Sequence, residues 1–162
     1  MRAIILASMG IFFTAASVFA AAPVATTEGE VSGISLQIEE LKVSNGTVMM
    51  KFTISNDAAA AFPTYTLRDR DVAKSDPNAV SGIYLVDVAN KKKYFVVVDS
   101  DGHCVCSRDA ADIPSKASAN LWAKFPAPPD SVKKIGVVVP HFVPMDDVPL
   151  SRRAGAPCGP IC

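Results

Sequence analysis

The chain has 162 residues, with 16 lysines and arginines balanced by 16 aspartates and glutamates. A formal net charge of +0 at pH 7 gives it no general attraction for nucleic acid or anionic lipid. With 20 % of residues charged and 49 % hydrophobic, a disordered chain is excluded and one folded domain fits.

Met1 to Ala20 has the make-up of a secretory signal. Arg2 supplies the positive start, Ile4 to Ala16 a short apolar run, and Val18-Phe19-Ala20 the small or aliphatic residues of a cleavage site near Ala20 or Ala21. The run is too short to span a membrane, and no second apolar run of membrane length follows, so no transmembrane span is expected in the mature chain. The destination is secretion or the periplasm. Residues 21–30 are small and polar and read as a flexible leader.

Alternation then begins. Leu36 and Ile38 share one parity, and Leu41 and Val43 share the other, a shift near Glu40-Leu41 that predicts either a β-bulge or a change of sheet. After Asn45-Gly46 a second run carries Val48, Met50, Phe52 and Ile54 against Met49, Lys51 and Thr53. Period-two alternation on both sides of Asn-Gly predicts a hairpin. Ser55-Asn56-Asp57 ends that strand, Thr64-Tyr65-Thr66-Leu67 reads as a short strand, and Asp76-Pro77-Asn78 as a turn. A second hairpin is expected from Gly82–Val88 and Lys93–Asp99. Strands follow at Ser118–Phe125, with Leu121, Ala123 and Phe125 on one face, then at Lys134–Val139 and Val143–Leu150. No sustained 3.6-residue period appears outside the signal. Seven to eight short strands separated by turns predict an all-β fold, a sandwich over residues 31–150, with 151–162 as an extended tail carrying two cysteines.

All four cysteines, Cys104, Cys106, Cys158 and Cys162, lie in the exported part, where an even count reads first as disulfides. Four cysteines allow three pairings, and spacing alone does not choose among them. Residues i and i+2 of a flat strand share a face but lie too far apart to bridge easily, and Asp101-Gly102 supplies a turn that brings Cys104 and Cys106 closer. The alternative is a soft-metal site of His103, Cys104 and Cys106, with His141, Met49, Met50 or Met145 in reserve, a ligand set suited to copper(I) or zinc(II). Cys158-Gly159-Pro160-Ile161-Cys162 resembles the Cys-Gly-Pro-Cys of thioredoxins with one residue inserted, but no helical period accompanies it to lower a thiol pKa. Asp99-Ser100-Asp101-Gly102 reads as a solvated turn, lacking the spacing of a calcium loop.

Three blocks carry a family resemblance: Lys91-Lys92-Lys93-Tyr94-Phe95, Asp99-Ser100-Asp101-Gly102-His103-Cys104-Val105-Cys106-Ser107, and Leu121-Trp122-Ala123-Lys124-Phe125-Pro126-Ala127-Pro128-Pro129. Together they resemble a bacterial exported immunoglobulin-like module, which in some relatives precedes an outer-membrane-protein-A-like, peptidoglycan-binding domain. The resemblance spans about Ser35 to Leu150. It implies an immunoglobulin-like antiparallel β-sandwich of the cell envelope, with no catalytic residues to carry over. It also implies two local bridges, Cys104–Cys106 and Cys158–Cys162, since the Cys-x-Cys turn is self-contained in that family.

Neither histidine sits in a nucleophile motif. Trp122 has the parity of Asn120 and Lys124, opposite Leu121 and Phe125, and so is a candidate for a binding surface on a sheet face; the plainer reading is packing under a loop. The functional expectation is a non-catalytic envelope binding or structural module. Its partner is expected to be an envelope protein or a cell-wall component.

Overall fold

The computed structural model describes residues 22–70 and 76–152. The signal, Cys158 and Cys162 lie outside the described residues. Among the described residues there are nine strands: β1 Ala25–Glu28, β2 Ile34–Ser44, β3 Thr47–Asn56, β4 Tyr84–Asp87, β5 Lys92–Phe95, β6 Ala117–Pro126, β7 Lys134–Val138, β8 Met145–Pro149 and β9 Ser151–Arg152. They form two sheets, one ordered β1-β2-β3-β6 with β9 added to β2, the other β5-β4-β7-β8. All pairings are antiparallel except the short β2–β9 ladder.

The alternation seen in sequence is the inner face of the first sheet. Val48, Met50, Phe52 and Ile54 of β3 are buried, as are Leu121, Ala123 and Phe125 of β6. They pack in one core with Leu85, Tyr94, Ile135, Val137 and Val148 of the second sheet. Burying each large apolar side chain contributes about 1.5–3 kcal/mol. Asn45 (φ 50) and Gly46 (φ 74) both hold positive φ, as a type I′ hairpin requires. The register shifts between Ile38 and Glu40, so the exposed Glu39 is the extra residue of a bulge, which moves the inward parity from Ile38 to Leu41.

This is the two-sheet, all-β sandwich expected of the chain. Its connections are its own: β2 and β3 are a hairpin within one sheet, whereas the constant-type immunoglobulin order sends the chain across after its second strand.

Three local expectations are corrected. Part of the leader is β1, paired with β2 from Ala25↔Ile38 to Glu28↔Ser35. Its small polar residues alternate between half-buried and exposed, as on an edge strand with one solvated side. Thr64–Leu67 is one turn of 3-10 helix, not a strand. Local polar bonds select the turn: the Thr66 hydroxyl donates to the Pro63 carbonyl (2.7 Å), the Asp112 carboxylate accepts the Thr64 N–H (3.1 Å), and the Thr64 hydroxyl donates to the Ala110 carbonyl. The first residues of the expected tail, Ser151 and Arg152, belong to the fold as β9.

Main-chain bonds join the two sheets at both sides. On one side the Val143 N–H donates to the Glu28 carbonyl (3.1 Å) and the Glu30 N–H to the His141 carbonyl (2.8 Å). On the other the Val97 N–H donates to Lys124 (2.8 Å), the Lys124 N–H to Val105 (3.0 Å) and the Val105 N–H to Val97 (2.7 Å). That triangle places the Cys-x-Cys segment at the seam between the sheets.

Candidate functional site

Cys104 and Cys106 are bonded to one another, with Cα atoms 5.3 Å apart, and both are buried. Cys106 faces Ala123 of β6 in an antiparallel bridge, so both sulfurs lie on the core side of the seam and Val105 turns outward. His103 Nδ1 lies 2.8 Å from Asp76 Oδ2, with Arg108 Nη1 3.8 Å from the same oxygen. The three residues of the metal reading are adjacent; the two sulfurs are bonded to each other, and His103 Nδ1 is paired with Asp76. Among the described residues no group of three or more His, Cys, Asp or Glu is placed to hold a metal ion.

The preceding turn is built by Asp99. Its carboxylate accepts the N–H groups of Asp101 (3.0 Å) and His103 (2.8 Å), and its own N–H donates to the His103 carbonyl (2.8 Å). The hydrogen bond from the His103 N–H holds the Asp99 carboxyl below its ordinary value; burial opposes it, and the bond from Asp101 and the charges of His103 and Arg108 add to the lowering.

The structure brings the two sequence-derived candidates onto one sheet edge. Ser107, next to Cys106, donates its N–H to the Trp122 carbonyl (2.8 Å), and its Oγ accepts the Trp122 N–H (3.0 Å). The Trp122 side chain points outward and is 37 % exposed. Across the outer face Trp122 pairs with Lys51, and Lys51 with Glu40 on the next strand. Lys51 Nζ and Glu40 Oε2 are 2.8 Å apart, and this hydrogen bond holds the ammonium above its ordinary value. Neighbouring rows bring Met49 beside Lys124, and Thr53 beside Asn120. The Thr53 hydroxyl lies within hydrogen-bond distance of both the Glu39 carboxylate and the Asn120 amide. A hydroxyl has one proton; with the amide turned over, Asn120 donates to Thr53 and Thr53 donates to Glu39.

The result is a shallow depression of about 380 Å³, lined among others by Met49, Trp122, Lys51, Glu39 and Asn120. An aromatic plate and a thioether floor with a carboxylate, an ammonium and an amide at the margin suit contact with a ligand that has an apolar face and polar edges. A larger hollow of about 740 Å³ lies on the second sheet, beside the 87–90 turn. Its buried Asp87 is committed to the Asn90 N–H (3.1 Å) and amide (2.7 Å), and Lys133 Nζ to the Asp130 carbonyl (2.8 Å).

Sequence reasoning missed Asn56. It is 1 % exposed and sends Nδ2 to the carbonyls of Ala60 and Ile113, both at 2.8 Å, while Oδ1 accepts the Ala58 N–H at 2.9 Å. It positions the segment that faces β6. Only its place at a strand end was visible, since Ile113 is 57 residues away.

No helix among the described residues is long and apolar enough to cross a membrane. No protein family, no curated protein and no solved structure matches this chain.

Proposed function

We propose that this chain is an exported, non-catalytic binding module of the cell envelope, and that it engages an envelope protein or a cell-wall component through the outer face around Trp122. The observation that carries the reading is Trp122 itself: a large aromatic side chain held outward on a three-strand row, beside a depression with its own charged and amide margin. Exposed aromatics of this kind dominate recognition surfaces. The apolar start of the chain supports export, and the Cys104–Cys106 bond supports an oxidising destination such as the periplasm or the exterior. No observation favours the copper or zinc alternative, which needs the disulfide opened.

Trp122 is the sole tryptophan, so its fluorescence reports on this surface directly. The mature protein is titrated with purified cell-wall fragments and used as bait for native envelope extract, each beside a Trp122→Ala variant. A saturable spectral shift, and a partner retained by the wild type and lost by the variant, are expected. A partner held equally by Trp122→Ala refutes the assignment of the surface.

A further inference from the structure

The chain closes half of the free edge of β6 and then leaves it. Val105 accepts the outward Lys124 N–H, Val97 donates to the Lys124 carbonyl, and Ser107 satisfies both outward main-chain groups of Trp122. Beyond Ser107 the backbone turns away at Asp109, whose φ of 55° lies in the left-handed region. The following segment is fastened elsewhere. Ile113 exchanges two main-chain hydrogen bonds of 2.9 Å with Phe62, Ala110 donates to the Asn78 carbonyl (3.3 Å), and Asn56 holds the Ile113 carbonyl. Ser118–Leu121 of β6 faces this wall across a cleft of about 390 Å³.

Main-chain groups along a strand turn alternately to its two neighbours. Trp122 and Lys124 turn outward, so Asn120 and Ser118 do too, and their N–H and C=O groups make no hydrogen bond within the described residues. The edge strands of the second sheet carry the usual protection against pairing. β5 bears Lys92 and Lys93, while β8 bears Asp146 and Asp147 and ends in Pro149. The Ser118-Ala119-Asn120-Leu121 edge has neither charge nor proline.

We infer that this edge is a strand-addition site, which takes an extended polypeptide segment of a partner protein into the cleft between β6 and residues 110–113. The unpaired donors and acceptors are complementary to the main chain of an extended peptide. Running antiparallel to β6, such a segment continues the line that Cys104–Ser107 begins and Asp109 abandons. Ala110, Ala111 and Ala119 give the cleft apolar walls with room for side chains, and Arg108, 3.8 Å from Asp76, sets a cation at its margin that suits a carboxylate at one end of the segment. The inference goes beyond the Trp122 surface and does not depend on it.

The test uses the ¹⁵N-labelled mature protein and a synthetic heptapeptide, Thr-Val-Thr-Val-Thr-Val-Asp, beside the same peptide N-methylated at alternate residues. With the first peptide, exchange of the Ser118 and Asn120 amides is expected to slow at least about tenfold, and with the second not at all. Ser118→Pro removes an outward N–H and no β3 ladder bond, so it is expected to weaken binding about tenfold or more. If Ser118→Pro does not fold, the N-methylated peptide carries the comparison. Unchanged exchange at millimolar peptide overturns the proposal. Protection that appears on raising the protein concentration alone, without peptide, also overturns it, since the occupant is then a second copy of this chain.

Discussion

Replacing Asn56 by alanine removes three hydrogen bonds from one buried side chain and leaves the Ile113 carbonyl, the Ala60 carbonyl and the Ala58 N–H without it. The Ile113 bond is fully buried and the other two are partly accessible, so water replaces the latter more cheaply. Leaving one buried group unpaired costs about 1–3 kcal/mol, and each partly buried bond contributes about 0.5–1 kcal/mol, for an expected loss of about 2–5 kcal/mol. That is a large part of the roughly 5–15 kcal/mol that holds a domain folded. Urea unfolding followed by circular dichroism checks it, with the midpoint falling and the slope unchanged. Asn56→Asp sharpens the test, because it keeps the acceptor toward Ala58 but turns a carboxylate against two carbonyls. Its penalty grows as pH rises through the carboxylate range and shrinks in acid, where the protonated group again donates one bond. A loss below about 1 kcal/mol for Asn56→Ala refutes the view that this side chain holds the wall opposite β6.

Arg152 donates to Asp130 Oδ1 (2.6 Å) and to the carbonyls of Pro128, Pro129 and Val132, so Arg152→Ala is expected to cost about 1–2 kcal/mol and to release β9, read as faster exchange where β9 pairs with Lys42 and Val43. Gly46 (φ 74) has open space around it, whereas a Cβ on Gly33 (φ 86) meets the Ala58 nitrogen at 2.9 Å; Gly46→Ala is expected to cost about 1 kcal/mol and Gly33→Ala clearly more, in parallel thermal melts. Since the folded Asp99 carboxyl lies below its ordinary value, its stabilisation of the 99–103 turn is present above that ordinary value and is lost as pH falls through the lowered one. NMR titration of the Asp99 carboxyl is expected to give a midpoint below that of a free aspartate, and a normal midpoint contradicts the turn geometry.

What was legible in the sequence was what a single strand or a tight turn decides for itself. The alternation of β3 and β6, the Asn45-Gly46 hairpin, the parity shift beside Glu40 and the outward parity of Trp122 all follow from side-chain period and positive φ. What was not legible depends on distant partners. β1 is four residues of weak pattern that become a strand because β2 offers an edge. Thr64–Leu67 has strand-forming residues, but Asp112 and Ala110, nearly fifty positions on, fix it as a helical turn. The cleft beside Ser118 and Asn120 exists because Ile113 pairs with Phe62 instead of with β6, and nothing near either residue announces that choice.

The disulfide then acquires a role from its place. In a strand, Cα atoms two residues apart are about 6.5 Å from one another; those of Cys104 and Cys106 are 5.3 Å apart. A segment shortened in this way cannot run flat along β6 for long, and two residues after Val105 and Ser107 have bonded to β6 the chain turns off at Asp109. The bridge closes a ring of three residues, which restricts the unfolded chain little and stabilises by about 1.5 kcal/mol. Its loss is therefore expected to be local. In a Cys104→Ala/Cys106→Ala variant the Val105 and Lys124 amides, which hold the seam, exchange faster, while the Val48–Ile54 amides of β3 retain their protection. A uniform rise in exchange across both sheets is the result that contradicts this, because it makes the bridge a determinant of global stability and not of the path the chain takes at the seam.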